Sequence, residues 1–192
     1  MRIVAGEFRG RTIAAPTGTN TRPTSDRVRE ALFSSLYSLR GGFEGACVLD
    51  AFAGSGALGL EALSRGAESA VFYERDARAA ETVRRNVAAC GIDRKRACVV
   101  ARDVASCATQ RVQKPFDLVF LDPPYAASPD EVIGLVQDLQ MSGAIAPDAI
   151  IAYEHAQGSS QLVCETAEGR GYSVVSCKKY GKTAVVTLVH EN

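Results

Sequence analysis

From Cys47 to Tyr153 the chain alternates short apolar runs with segments of helical periodicity, and no other pattern in it restricts the fold as strongly. Residues 47–50, 70–74, 97–101, 116–121 and 150–153 read as strands, each short, apolar and bounded by polar or glycine-rich sequence. Between them, residues 56–64 read as a helix, as do a segment with Ala79, Ala80, Val83 and Val87 on one face and another with Val132, Ile133, Val136 and Leu139. A helix between successive strands forces a crossover, which implies an α/β fold: a Rossmann-like, mostly parallel sheet covered on both faces. The end breaks the pattern. Residues 172–178 and 183–190 flank Tyr180-Gly181-Lys182 and read as an antiparallel hairpin, unlike an ordinary dinucleotide fold.

A chain of 192 residues, 46% of them hydrophobic, suits one domain with a full core and a small appendage. No apolar run reaches the ~18 residues of a membrane span, and residues 1–7 lack a signal-peptide block, so the expected location is the cytoplasm. Six cysteines without a Cys-x-x-Cys, and only two histidines, argue for reduced thiols and no metal site. The formal net charge is zero, but residues 1–40 carry seven arginines against three carboxylates. That locally basic start is the feature compatible with nucleic acid. Within it, residues 2–15 suggest a small β-hairpin and residues 16–23 a polar connection. Thr24 or Ser25 can then cap a helix whose apolar stripe is Val28, Leu32, Leu36 and Leu39. Arg27 and Arg29 lie mainly off that stripe, where a solvated face and an RNA contact fit equally well.

Two loops carry the chemistry. Asp50-Ala-Phe52-Ala-Gly54-Ser-Gly56-Ala-Leu-Gly59 joins the first core strand to its helix, with the G-x-G-x-x-G spacing that lets backbone approach a ligand. Glu74 follows about twenty residues on, at the end of the next strand, where ribose hydroxyls are read. This much fits a nicotinamide cofactor or S-adenosylmethionine. Asp50 shifts the balance toward S-adenosylmethionine, because a carboxylate there would repel a diphosphate and suit an amino group. Asp103, after the third strand, can accept a bond from an adenine amine, though a turn aspartate reads the same way. The second loop, Asp122-Pro123-Pro124-Tyr125, follows the buried strand 116–121. An exocyclic amine is a poor nucleophile because its lone pair is delocalised. A carboxylate and a carbonyl on a stiff proline backbone can each take one N–H and turn that lone pair outward, while a tyrosine offers a stacking face. The bland alternative is a strand ending in a Pro-Pro turn.

Taken together, Arg22-Pro-Thr-Ser-Asp26-Arg27-Val-Arg29-Glu30-Ala-Leu-Phe33, the run from Asp50 to Gly66, Leu121-Asp-Pro-Pro-Tyr125 and the closing Lys179-Tyr-Gly181 resemble the bacterial 16S rRNA (guanine(966)-N(2))-methyltransferase family. The likeness spans nearly the whole chain. It implies a class I methyltransferase fold, with residues 1–23 as an RNA-contacting appendage and 24–192 as the methyltransferase domain. It implies S-adenosylmethionine bound by Asp50, Phe52, Gly54, Gly56, Glu74 and Asp103. Asp122 and the Pro123 carbonyl would hold the guanine amine, Tyr125 would stack on the base, and Arg22, Arg27, Arg29 and Pro124 would meet substrate. The implied partner is 16S rRNA in the small (30S) ribosomal subunit, approached by a monomer, with no DNA and no membrane. The chain departs from the family at Ser34, where Asn is common, and at Arg102, where Gly is common. Competing readings are an adenine-N6 DNA enzyme, a glutamine-N5 protein enzyme, a non-catalytic rRNA assembly factor and, last, a nicotinamide enzyme. His155, at the end of the 150–153 strand, is read as structural under strand alternation, and Lys178 and Lys179 as guards of an edge strand.

Overall fold

The computed structural model describes residues 1–16, 26–109, 112–124 and 126–191. These fall into two compact units, Met1–Val104 and Ala105–Asn192.

In the first unit, helix α1 (Asp26–Arg40) precedes β1 (Cys47–Asp50), α2 (Ala57–Ser64), β2 (Ser69–Tyr73), α3 (Ala77–Ala89) and β3 (Ala97–Val100). The strands run parallel in the order β3-β2-β1, with Asp50 opposite Phe72 and Tyr73 opposite Val100. This register brings the carboxyl ends of β1 and β2 level, so Asp50 and Glu74, one residue past β2, share one edge. Parallel strands bury both faces, and the four residues of β1 are all buried. Asp76 starts α3 by accepting the Arg78 and Ala79 amides at 2.9 and 2.8 Å.

Residues 1–16 close on a single antiparallel bridge, Arg2 to Thr12, and lie against α2 and α3. Ile3, Phe8 and Ile13 are buried, while the segment's amides meet side chains. Val4 and Ala5 N–H donate to Glu61 at 2.8 and 3.0 Å, Phe8 N–H to Ser64 Oγ at 2.9 Å, and Ala14 N–H to Asn86 Oδ1 at 2.8 Å. In α1 the buried stripe is Arg29, Leu32, Phe33 and Leu36. It is rotated from the expected one, and Leu39 is 42% exposed.

The second unit contains β4 (Phe116–Leu121), α4 (Pro129–Met141), β5 (Ile145–Ala156), α5 (Ser160–Gly169), β6 (Tyr172–Tyr180) and β7 (Thr183–His190). Strand order is β4-β5-β7-β6, with β4 and β5 parallel and the last two pairings antiparallel. The parallel sheet and the closing hairpin thus match the reading from sequence. Two differences stand out. Strand β5 begins at Ile145 rather than 150, and α5 was not anticipated. Helix α4 opens on a capping box in which Ser128 and Glu131 satisfy each other's backbone amides, with Pro129 at the first turn. Leu121 pairs with Tyr153, so residues 122–124 leave the sheet beside the end of β5. Among the described residues, no helix is long and apolar enough to cross a membrane.

Candidate active site

In the first unit the glycine loop is built by the carboxylates on either side of it. Gly59 N–H donates to Asp50 Oδ2 at 2.9 Å, and Gly54 N–H to Glu74 Oε2 at 2.9 Å. The other Glu74 oxygen accepts Asp76 N–H at 2.8 Å. The three glycines serve different ends. Gly56 is the left-handed N-cap of α2. At Gly59 an added Cβ would lie 2.4 Å from the Phe72 ring, so this position is reserved for helix-on-strand packing. Gly54 has φ +54, and a Cβ there would meet nothing within 4 Å. That open backbone, flanked by carboxylates, suits a ligand with amino and hydroxyl groups and would repel a diphosphate. S-adenosylmethionine fits these residues.

Asp50 is only 2% exposed. Burial pushes its carboxyl up to about 7, the Gly59 amide pulls it back, and the Glu74 charge adds to the rise. Such an acid is poised between protonation states near neutrality and would be drawn to its charged form by a ligand's ammonium group. Phe52 is half-buried, and Asp103 lies exposed after β3.

In the second unit Asp122 is half-buried, Pro123 buried and Pro124 exposed. Ala127 N–H donates to Pro124 C=O at 2.9 Å, which turns the motif back toward α4. Pro123, Pro124, Ala127 and Pro129 form one side of a hollow whose other side is Tyr153–Ala156 of β5. Tyr125 and Arg22 lie outside the described residues. Arg27 is exposed, as a surface contact requires. Arg29 is not: its side chain is 0% exposed, 2.8 Å from Asp26 and 3.6 Å from Glu61. This corrects the expected RNA contact at Arg29, because a guanidinium enclosed by its own carboxylates has no face left for phosphate. Glu61, Asn86 and His155 are buried polar residues that the sequence reading left without a part in the site's support. The signal for Glu61 was present, as the single charge in the apolar run 57–64.

A family model described as conserved hypothetical protein 95 matches residues 1–189. YlbH of Bacillus subtilis (strain 168) is 37% identical over 189 residues, 96% of each chain. Ribosomal RNA small subunit methyltransferase D of Escherichia coli (strain K12) is 39% identical over 155 residues, covering 80% of this chain and 74% of that one. The solved structure of the Escherichia coli protein yhhF superimposes with a TM-score of 0.80 and 35% identity, over 100% of this chain and 98% of that one.

Proposed function

The chain belongs to the conserved hypothetical protein 95 family, and we propose that it methylates the N2 amine of guanine 966 in 16S rRNA, within the small ribosomal subunit or an assembly intermediate. It is an α/β class I methyltransferase in fold, and its Escherichia coli relative carries a small-subunit rRNA methyltransferase name. The observation that carries the choice of an exocyclic amine is Asp122-Pro123-Pro124 leaving the carboxyl end of β4 beside the hollow at the end of β5.

Bound S-adenosylmethionine supplies an electrophilic methyl group on a sulfonium. Gly54 would offer it uncrowded backbone, Glu74 would take the ribose hydroxyls, and Asp50 and Asp103 would meet its amino groups. Asp122 and the Pro123 carbonyl would each accept one N–H of the guanine amine, which would turn the nitrogen lone pair outward for attack on a methyl group. The S–C bond of the sulfonium would break as the N–C bond forms, leaving the neutral thioether S-adenosylhomocysteine, and the amine proton would pass to Asp122 or onward to water. Positioning supplies most of the acceleration, since effective molarities of ~10⁵ M or more are available to well-oriented pairs. The base must leave its stack, which costs a few kcal/mol in a helix and less in a loop, so a loop guanine on a preassembled RNA surface is the suitable target. The acting form is a cytoplasmic monomer, with the basic N-terminal surface toward RNA.

Labelled S-adenosylmethionine incubated with small subunits lacking the modification, with naked 16S rRNA and with duplex DNA tests this directly. N2-methylguanosine from the subunits is the expected product, and Asp122→Ala should lower turnover by ~10²-fold or more. Label in DNA adenine would overturn the substrate. Absence of label in every arm would point to a protein amide or to a binding role without catalysis.

A further inference from the structure

His155 lies near the carboxyl end of β5, opposite Ala184 of β7, and is 5% exposed. Its Nδ1 is 2.9 Å from the carbonyl oxygen of the next residue, Ala156. A carbonyl can only accept, so Nδ1 carries the proton and the neutral ring presents a lone pair at Nε2. That Nε2 is buried and, among the described residues, meets no hydrogen-bond partner. Leaving a buried acceptor unmet forfeits the hydrogen bond it had with water, and such an atom calls for a missing partner. His155 is one of the residues lining the hollow shared with Pro123 and Pro124, the backbone expected to hold the target base. Tyr153 fixes its orientation, edge to face at 5.5 Å. Burial holds the imidazole below its ordinary pKa, so the neutral acceptor form prevails at neutral pH.

The Watson–Crick edge of guanine presents two donors side by side, the N2 amine and N1–H. Adenine and 2,6-diaminopurine carry a lone pair at N1 instead. We propose that His155 is a specificity-determining residue whose unpartnered Nε2, in the hollow beside Pro123 and Pro124, accepts N1–H of the target guanine. The inference rests on the reading of the site as a guanine-N2 methyltransferase. It adds the group that tells guanine from a purine with the same 2-amine but no N1 proton. An N1 lone pair would face the Nε2 lone pair, and both would stay unmet in a dry site. A site built on such a bond rejects the analogue lacking it more strongly than shape alone allows.

The test uses the full chain, S-adenosylmethionine and small subunits reconstituted with 16S rRNA carrying either guanine or 2,6-diaminopurine at the target position. Wild type should favour guanine, and His155→Leu should lower kcat/KM for guanine about ten- to hundredfold while leaving diaminopurine within a few fold. His155→Gln, whose amide oxygen can accept N1–H, should recover part of the preference. Calorimetry with S-adenosylmethionine checks that each variant is folded. Equal losses on both bases would assign His155 a purely structural role and overturn the proposal, as would an unchanged guanine preference in His155→Leu. Wild type that leaves the guanine amine unmodified would instead overturn the methyltransferase reading, and the role of His155 with it.

Discussion

Asp50 is the residue whose chemistry is most altered by the fold. Its carboxyl is pushed up to about 7, chiefly by burial, against an ordinary value of 3.8. Between pH ~4 and ~7 the unfolded chain gives up a proton that the folded chain retains, so stability falls as pH rises through this window. Above about 7 the loss is complete, on the order of 4 kcal/mol for a shift of this size. Asp50→Asn stays neutral and keeps an acceptor for the Gly59 amide. We expect it to melt near wild type at pH 4, several degrees above it at pH 8, and to bind S-adenosylmethionine more weakly because the ligand's ammonium loses its counter-charge. Thermal melts at both pH values and calorimetry at pH 8 check this; a variant that melts below wild type at pH 8 would sink the assignment of strain to the charge. Asp50 and Glu74 were legible in the sequence because loop spacing and strand ends fix where such carboxylates stand. Arg29 is not legible in the same way, because Val28, Leu32, Leu36 and Leu39 also make a helical stripe. The positions 29, 32, 33 and 36 form an equally good helical stripe, and only the distant Glu61 decides between them. The open nitrogen of His155 was out of reach too, since it depends on which carbonyl its other nitrogen meets.

At the scale of elements, Gly59 couples α2 to β2. Replacing it with alanine sets two effects against each other. Helix propensity favours alanine by about 1 kcal/mol, but the new Cβ would stand 2.4 Å from a Phe72 ring that is 0% exposed. Overpacking of this kind costs roughly 1–3 kcal/mol, and a buried ring held on a strand has little room to yield. Gly59→Ala should therefore lower the urea midpoint, and Phe72→Leu in the same chain should recover most of the loss. A single variant as stable as wild type would show that α2 slides freely on β2. The strands were legible because parallel strands buried on both faces read as unbroken apolar runs. Helix α5 was not, because it buries only Val163 and Ala167, too thin a stripe to register as a period. The early part of β5 was hidden similarly, as Pro147 and Asp148 in it are exposed.

At the scale of the whole molecule, the question is whether residues 1–16 form an arm for RNA or a part of the first unit's core. The sequence, with its arginines and glycines, reads as an arm. The structure gives the segment a second task. Ile3, Phe8 and Ile13 are buried, and burial of one such side chain contributes roughly 1.5–3 kcal/mol. Glu61 is the node of the attachment: 0% exposed, it takes two amides of the segment, lies 2.8 Å from Arg65 Nε and 3.6 Å from Arg29 Nε. Buried pairs are weak evidence of net stabilisation, yet removing one partner leaves the other charged in a dry place, typically at 3–5 kcal/mol. Glu61→Leu should therefore lower the melting temperature of the protein and speed hydrogen exchange through α1 and α2 as well as at Val4 and Ala5. Glu61→Gln, which can still accept one amide, should fall between. If residues 1–16 were only an arm, Glu61→Leu would quicken exchange in that segment alone and leave the melting temperature unchanged. Mass-resolved exchange of the three proteins separates the two cases, because an arm that frays and a core that opens protect different amides.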